Sequence, residues 1–352
     1  MNEPSAALER IAYLLEAERA PTYKVRAFRR AAAVVGERTT SELERLARGG
    51  GLQELAGVGK SSARVVAEAL AGQTPDYLAV LEQRRPPPLC GPAAALRAAL
   101  RGDCHVHSDW SDGSSSIAAM AAAAVALGHD YAVLTDHSAR LSVAHGLDAR
   151  RLREQIALVA ALNDELAPFR LLTGIEVDIL EDGRLDQDEE LLAALDLVVA
   201  SVHSQLRLDA AAMTARMIAA VASGRVDVLG HCTGRLVGGR TRPPSQFAPE
   251  EVFAACAAVG TAIEINCRPE RVDPPDELLA AALVAGCLFS IDSDSHAPGQ
   301  LEWLDLGCVR AADAGIMPER VVNSWPLASL RQWTARSASS ASSAGATASS
   351  WS

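Results

Sequence analysis

Six of the chain's eight histidines stand at or just past the end of a short apolar run: His105, His107, His137, His203, His231 and His296. In proteins that alternate strands with helices, the C-terminal strand ends are where active sites are built. His105 and His107 are two apart on one run, so both imidazoles leave the same side of a strand. Asp294 and His296 repeat that spacing in SIDSDSH, Asp112 follows the first pair in the turn SDGSS, and Glu176 comes at the end of the run LLTGIEV. A single histidine of this kind can equally be a hydrogen-bonded residue at a strand end. Six of them, accompanied by acids, read as a metal site. His129 and His145 fall outside the pattern and are expected to be ordinary surface or loop residues.

Imidazole and carboxylate together suit Zn2+, Mn2+ or Fe2+, and no thiolate set points to a structural zinc. Nine donors exceed what one ion needs, which implies two or three divalent ions. Ions about 3.5–4 Å apart can share an activated water as nucleophile and clamp phosphate oxygens. Metal-dependent amidohydrolases are the competing reading for a barrel that opens with H-x-H, but they often bridge their ions with a carboxylated lysine. Here the only lysines are Lys24 and Lys60, both ahead of the histidine-bearing region. The bridging carboxylate must then be an acid, for which we select Glu176, and this favours phosphoester over amide hydrolysis. Asp136 and Glu264 are expected to orient ligands through hydrogen bonds.

Positioning these side chains requires elements that end where they stand. Apolar runs at 103–107, 131–135, 171–179, 197–203, 226–231, 261–266 and 287–292 read as strands, with alanine-rich helices between most of them. That alternation predicts an α/β domain of parallel strands and crossover helices, either a closed barrel or an open sheet. Upstream, residues 5–19 place Leu8, Ile11, Leu14 and Leu15 on one helical face, and 23–35 begins a second helix with a basic edge of Lys24, Arg26, Arg29 and Arg30. Shorter helices are expected near 41–48 and 60–71. RRPPPLCGPAAA reads as a linker, and the serine- and alanine-rich end of the chain as a disordered tail. The expected organisation is a helical module over 1–83, a linker over 84–100, a catalytic domain over 101–334 and a tail over 335–352.

At 352 residues the chain has room for a barrel-sized domain and a smaller one, and its 49% hydrophobic and 22% charged content suits a soluble globular protein. No apolar run is long enough to span a membrane, and the N-terminus does not look like a secretory signal. The seven cysteines occur singly, with no C-x-x-C pair, which suits reduced thiols in the cytoplasm. Residues 1–85 hold 13 Lys and Arg against 11 Asp and Glu, which leaves −13 of the net −11 on the remainder. A slightly basic module tethered to an acidic one suits a phosphate-contacting unit joined to a cation-loaded site.

GDCHVHSDWSDG, LTDHS, GIEVDI, SVHSQ, LGHCTGR, IEINCRPERVD and SDSH resemble, in order, the successive motifs of the polymerase and histidinol phosphatase (PHP) superfamily. The likeness covers about residues 100–332 and is greatest to the C-terminal domain of bacterial family-X DNA polymerases. It implies a distorted seven-stranded (β/α) barrel that holds three metal ions and removes nucleotides from DNA 3′ ends. It also implies that His105, His107, Asp112, His137, Glu176, His203, His231, Asp294 and His296 are the metal ligands. Arg235 and Arg271 match basic motif positions and are expected either to contact substrate phosphate or to pair structurally with a nearby acid. Cys232 departs from the usual proline, which relaxes the turn or makes the site sensitive to oxidation.

Residues 1 to about 83 resemble the small helical DNA-end-binding domain that opens family-X polymerases, through the helix-hairpin-helix signature LQELAGVGKSSARVVAEAL. Gly57 and Gly59 would allow a tight turn whose backbone N–H groups bind a DNA phosphate, with Lys60 adding charge. The plain alternative is a glycine turn between two packed helices. Val65 stands where some relatives carry a lyase lysine, so no Schiff-base chemistry is expected. The polymerase palm cannot fit between module and barrel, which excludes DNA synthesis. The expected activity is metal-dependent hydrolysis of phosphodiesters at DNA 3′ ends, as a 3′-5′ exonuclease or end-trimming enzyme using metal-activated water. The alternatives are a phosphomonoesterase acting on a small metabolite such as histidinol phosphate, and a non-catalytic DNA-end-binding protein. DNA ends, bound without regard to sequence, are the expected partner, with DNA repair proteins as further ones.

Overall fold

Leu8, Ile11, Leu14 and Leu15 are all buried, as a single apolar helical face requires. The computed structural model describes residues 3–237 and 241–335. It divides into two compact units, one running to Pro88 with Pro298–Gln300 assigned to it, the other comprising the rest. The first contains α1 (Glu3–Ala17), α2 (Thr22–Gly36), α3 (Thr40–Arg48), α4 (Lys60–Leu70) and α5 (Asp76–Gln83). Thr39 starts α3 by accepting a hydrogen bond from the Glu42 amide while the Glu42 carboxylate takes the Thr39 amide, a reciprocal cap. Ile11, Phe28, Val35, Leu43 and Val66 meet in this unit's core.

The second unit opens with α6 (Gly91–Ala99), inside the stretch expected to be linker. Pro92 suits the first turn of a helix, and Leu96 and Leu100 join the barrel's core, so packing overrides the linker composition. Seven strands follow: β1 (Gly102–Val106), β2 (Tyr131–Leu134), β3 (Arg170–Asp178), β4 (Leu197–Ser201), β5 (Val228–Leu229), β6 (Ala262–Asn266) and β7 (Leu288–Asp292). The helices between and after them are α7 (Ile117–Ala126), α8 (Ala149–Leu166), α9 (Glu189–Ala194), α10 (Ala210–Ala222), α11 (Pro249–Val259), α12 (Asp276–Val284) and α13 (Leu304–Asp313). Each strand pairs in parallel with the next in chain order. Almost every strand residue is buried, as parallel strands covered on both faces should be.

The open-sheet alternative is excluded at the β1–β7 edge, where the barrel comes close to closing. Val106 bridges Ser295 in parallel, and the His107 amide donates to the Ser295 carbonyl at 2.8 Å. Elsewhere along this seam side chains replace the ladder. Asp292 accepts the Cys104 amide at 2.9 Å. Buried Asn323 donates to the carbonyls of Gly102 (3.0 Å) and Ile291 (2.6 Å) and accepts the Ile291 amide (3.1 Å). The structure is therefore the expected distorted seven-stranded (β/α) barrel preceded by a small all-α domain. The expected tail, apart from helical Ala335, lies outside the described residues. No helix among the described residues is long and apolar enough to cross a membrane.

Candidate metal centre

Each strand but β6 delivers at least one of the nine side chains, because the barrel gathers its C-terminal strand ends around one axis. His105 and His107 come from the end of β1, His137 from just past β2, Glu176 from β3, His203 from just past β4, and His231 from just past β5. Asp294 and His296 follow β7, and Asp112 lies on the turn after β1. Glu176 is the hub. Its Oε2 lies 2.7 Å from His137 Nδ1, 3.4 Å from His105 Nε2 and 3.6 Å from His107 Nε2. Its Oε1 lies 2.7 Å from His231 Nε2 and 3.2 Å from His203 Nε2. Asp294 Oδ1 is 3.4 Å from His107 Nε2, and Asp112 Oδ1 is 3.2 Å from His296 Nε2 and 3.5 Å from His137 Nε2.

Three groups of donor atoms lie within 4.8 Å of one another: His107–Asp112–His137–His296, His105–His107–Asp294 and His137–Glu176–His203. His107 and His137 are shared between groups. His105 Nε2, both ring nitrogens of His107 and of His203, and His231 Nδ1 are buried without a hydrogen-bond partner. Unpaired buried polar atoms normally cost 1–3 kcal/mol each, so an assembly of about this many needs a common occupant. Imidazole and carboxylate donors at these separations fit several divalent cations.

The electrostatics suit cations too. Burial acts to raise the Glu176 carboxyl, but His137, His203 and His105 overcome it and hold the group well below its usual range. Asp294 is likewise held low against its burial by Arg268, His105 and His107. Burial, reinforced by His296 and His137, keeps the His107 imidazole well below its usual value and therefore neutral. Charged acids beside a neutral His107 suit a cation, whereas the acids around His105 and His203 push those imidazoles up against their burial, His203 to about 9, so cation binding there would release protons.

Residues 103–267 match the PHP domain family, and residues 2–75 match the Helix-hairpin-helix domain family. The chain carries a PHP domain behind a helix-hairpin-helix domain. It is 38% identical over 224 residues to the DNA polymerase/3′-5′ exonuclease PolX of Bacillus subtilis (strain 168), covering 64% of this chain and 39% of that protein. It is 31% identical over 169 residues to the probable phosphatase YcdX of Escherichia coli (strain K12), covering 44% of this chain and 64% of that one. The chain thus spans less than two thirds of either relative. The histidinol phosphate phosphatase of Lactococcus lactis, solved with zinc, L-histidinol and phosphate, aligns at a TM-score of 0.44 with 19% identity, over 61% of this chain and 94% of that one. The chain's PHP-domain homologues are metal-dependent hydrolases.

Around the PHP site, Glu264 contacts two of the nine residues: Oε1 lies 2.6 Å from His105 Nδ1, and Oε2 accepts the His231 amide. The Asp136 carboxylate hydrogen-bonds none of the nine, although its backbone carbonyl accepts the Glu176 amide at 3.2 Å. That carboxylate accepts the Ser108 amide (2.8 Å), the Ser108 and Ser111 hydroxyls and Gln155 Nε2 (2.7 Å), which holds the turn that carries Asp112. Sequence reasoning missed Asp178, whose Oδ1 accepts the His203 amide at 3.0 Å. Its position two residues after Glu176 on one strand was a usable signal. Arg268 was also missed: Nη1 lies 3.4 Å from Asp294 Oδ1 and 3.2 Å from His296 Nδ1. Only the folded loop reveals that placement.

The two arginines singled out in the sequence differ. Arg271 Nε lies 3.2 Å from Asp294 Oδ2, and its Nη1 is buried without a hydrogen-bond partner. Arg235 instead donates Nε to the Arg271 carbonyl at 3.1 Å and Nη2 to the Val272 carbonyl. Val272 has φ 49°, a costly backbone for a β-branched residue, and Arg235 helps to hold it. Cys232 is buried in the apolar core and burial pushes its thiol well up, so oxidation sensitivity is not expected there. His129 is buried rather than on the surface, and neither ring nitrogen has a hydrogen-bond partner; His145 is exposed.

In the helix-hairpin-helix domain Gly57 has φ 100° and Gly59 precedes the first turn of α4, with Lys60 exposed at its start. Ser62 Oγ takes the Gly59 amide at 2.9 Å. Arg29, part of the expected basic edge, is bound by Glu16 (2.8 Å) and Glu9 (2.9 Å), which removes it from that edge as a free cation. Val65 is buried, as its apolar character demands.

Proposed function

We propose that the chain hydrolyses phosphodiester bonds at DNA 3′ ends, with the helical module over about 1–83 holding the backbone and the barrel from about 101 carrying the chemistry. One observation carries this reading: nine side chains that could ligate metal converge at one largely buried site, many with unpaired donor atoms, in a chain that also has a helix-hairpin-helix domain. His105, His107, Asp112, His137, Glu176, His203, His231, Asp294 and His296 would hold two or three ions of Zn2+, Mn2+ or Fe2+. When bound, such ions supply Lewis-acid charge to phosphoryl oxygens and activate a water for in-line attack. Glu176, placed among five imidazoles, would supply the carboxylate of the donor group that it forms with His137 and His203. Arg271 offers its unpartnered Nη1 to a substrate phosphate. The turn at Gly57 and Gly59 opens α4, whose first-turn amides would meet the DNA backbone beside the charge of Lys60; the Gly59 amide itself is taken by Ser62. The dispersed thiols suit a reducing, cytoplasmic setting, and DNA repair proteins are the fitting partners.

Similarity to a protein named as a probable phosphatase supports a second reading, hydrolysis of a small phosphomonoester such as histidinol phosphate. A 5′-labelled oligonucleotide and histidinol phosphate, each incubated with the full chain and Mn2+, Zn2+ or Mg2+, separate the two. Stepwise shortening of the oligonucleotide is expected. Phosphate release from histidinol phosphate beside an untouched oligonucleotide would transfer the assignment to the second reading. His107→Ala is expected to lower turnover by at least about 100-fold while DNA binding persists. Loss of DNA binding in that variant would favour a non-catalytic, metal-dependent scaffold.

A further inference from the structure

Arg216, on α10, is buried at 2% exposure and heads the fully buried side chains by size. Buried cations are ordinarily paired with a carboxylate. The hydrogen bonds of Arg216 go elsewhere: Nε to the Leu180 carbonyl at 2.9 Å, Nη1 to the Ser204 carbonyl at 2.9 Å, and Nη2 to the Ile179 carbonyl and, at 3.4 Å, the Ser204 hydroxyl. Ile179 and Leu180 directly follow β3, which carries Glu176 and Asp178. Ser204 directly follows His203. One planar group thus ties together the loops that leave two adjacent strands. The turn after Leu180 is also seated on α10. Gly183 has φ 82°, and a Cβ there would come within 2.4 Å of Ala219 Cβ and 2.8 Å of the Arg216 carbonyl. A second link runs in front: Asp178 Oδ1 accepts the His203 amide.

Resting on the reading above that ions occupy this pocket, we propose that Arg216 is a positioning residue for one ion subsite, that of His137, Glu176 and His203. The other two donor groups contain neither Glu176 nor His203. They draw on β1, the end of β2, the Asp112 turn and the segment after β7, none of which Arg216 touches. A rigid guanidinium fork reaches carbonyls on both loops at once, whereas a lysine ammonium, a single point of charge, cannot span them. Loosening the two loops should therefore weaken one ion and spare the rest.

The test uses the full chain, wild type and the Arg216→Lys and Arg216→Met variants, loaded with Mn2+ or Zn2+. Ions per chain are measured by elemental analysis after gel filtration, affinities by calorimetric titration, and folding by far-UV circular dichroism. The expected result is a folded Arg216→Lys that binds one ion at least about tenfold more weakly, the remainder holding wild-type affinity, with Arg216→Met showing the larger loss. Wild-type affinity for every ion in folded variants would overturn the inference. So would loss of all ions together, or failure of both variants to fold, since each marks Arg216 as a general structural staple. A wild-type chain that binds no ion would instead overturn the functional reading, and this inference with it.

Discussion

A carboxylate among five imidazoles is held ionised although it is buried, and Glu176 is in that position. The same charge pattern acts on the imidazoles in return: against their burial, the neighbouring acids hold His105 and His203 above the usual range, so a cation entering the site would displace their protons. At this scale the arginines can be told apart by what they already touch. Arg271→Met removes a guanidinium with a vacant buried nitrogen next to Asp294, and a charged hydrogen bond is worth about 1.5–3 kcal/mol. We expect KM for the phosphorylated substrate to rise about 10- to 100-fold, as steady-state kinetics would show. Arg235→Met removes a guanidinium committed to two backbone carbonyls, and should chiefly lower the melting temperature. If Arg235→Met raised KM while leaving stability intact, the two roles would have to be exchanged.

At the scale of elements, the barrel depends on contacts between segments that are remote in the chain. Asn323, from a turn after α13, fills hydrogen bonds on both β1 and β7, so the seam does not close through strand pairing alone. His129, in the turn between α7 and β2, makes that turn sensitive to acid. Burial, with the Arg97 charge adding to it and Asp130 opposing it, pushes its imidazole down to about 4. In the unfolded chain the group titrates near 6.5, so between those values the unfolded state binds more protons and stability must rise with pH. The contribution is fully present above about pH 6.5 and is lost as pH falls towards about 4, on the order of 3 kcal/mol. Denaturant unfolding of the wild type and His129→Leu across this window should show the variant losing less stability on acidification. Parallel pH profiles would rule His129 out as the cause. The strands themselves were legible in the sequence because each is a short, nearly continuous apolar run. β5 is the exception: expected over 226–231, it keeps regular pairing only at Val228–Leu229, since the chain turns into the site at His231, with φ 20°.

For the whole molecule, the acidic excess beyond residue 85 is what a cation-loaded barrel can carry, because bound ions offset part of it. Ions that bind only the folded state also stabilise it, by about 2.7 kcal/mol for one ion at 100 times its Kd. For a domain of this size that amounts to roughly 5–10 °C in melting temperature. Calorimetric scans of the metal-loaded chain with and without a chelator should show a fall of that size. Identical melts would contradict a multinuclear site held by these nine residues.

The amino-acid sequence by itself determined the strand ends, the side chains they present and the helical module ahead of them. These are local properties: apolar periodicity, i, i+2 spacing on a strand and a glycine hairpin are complete within a few consecutive residues. Tertiary structure alone decided that Asn323 completes the barrel seam, that Asp136 holds the Asp112 turn, that Arg268 reaches Asp294 and His296, and that Arg216 ties two loops together. Each of those contacts joins segments that only the folded barrel brings within hydrogen-bonding distance, and no spacing along the chain encodes them.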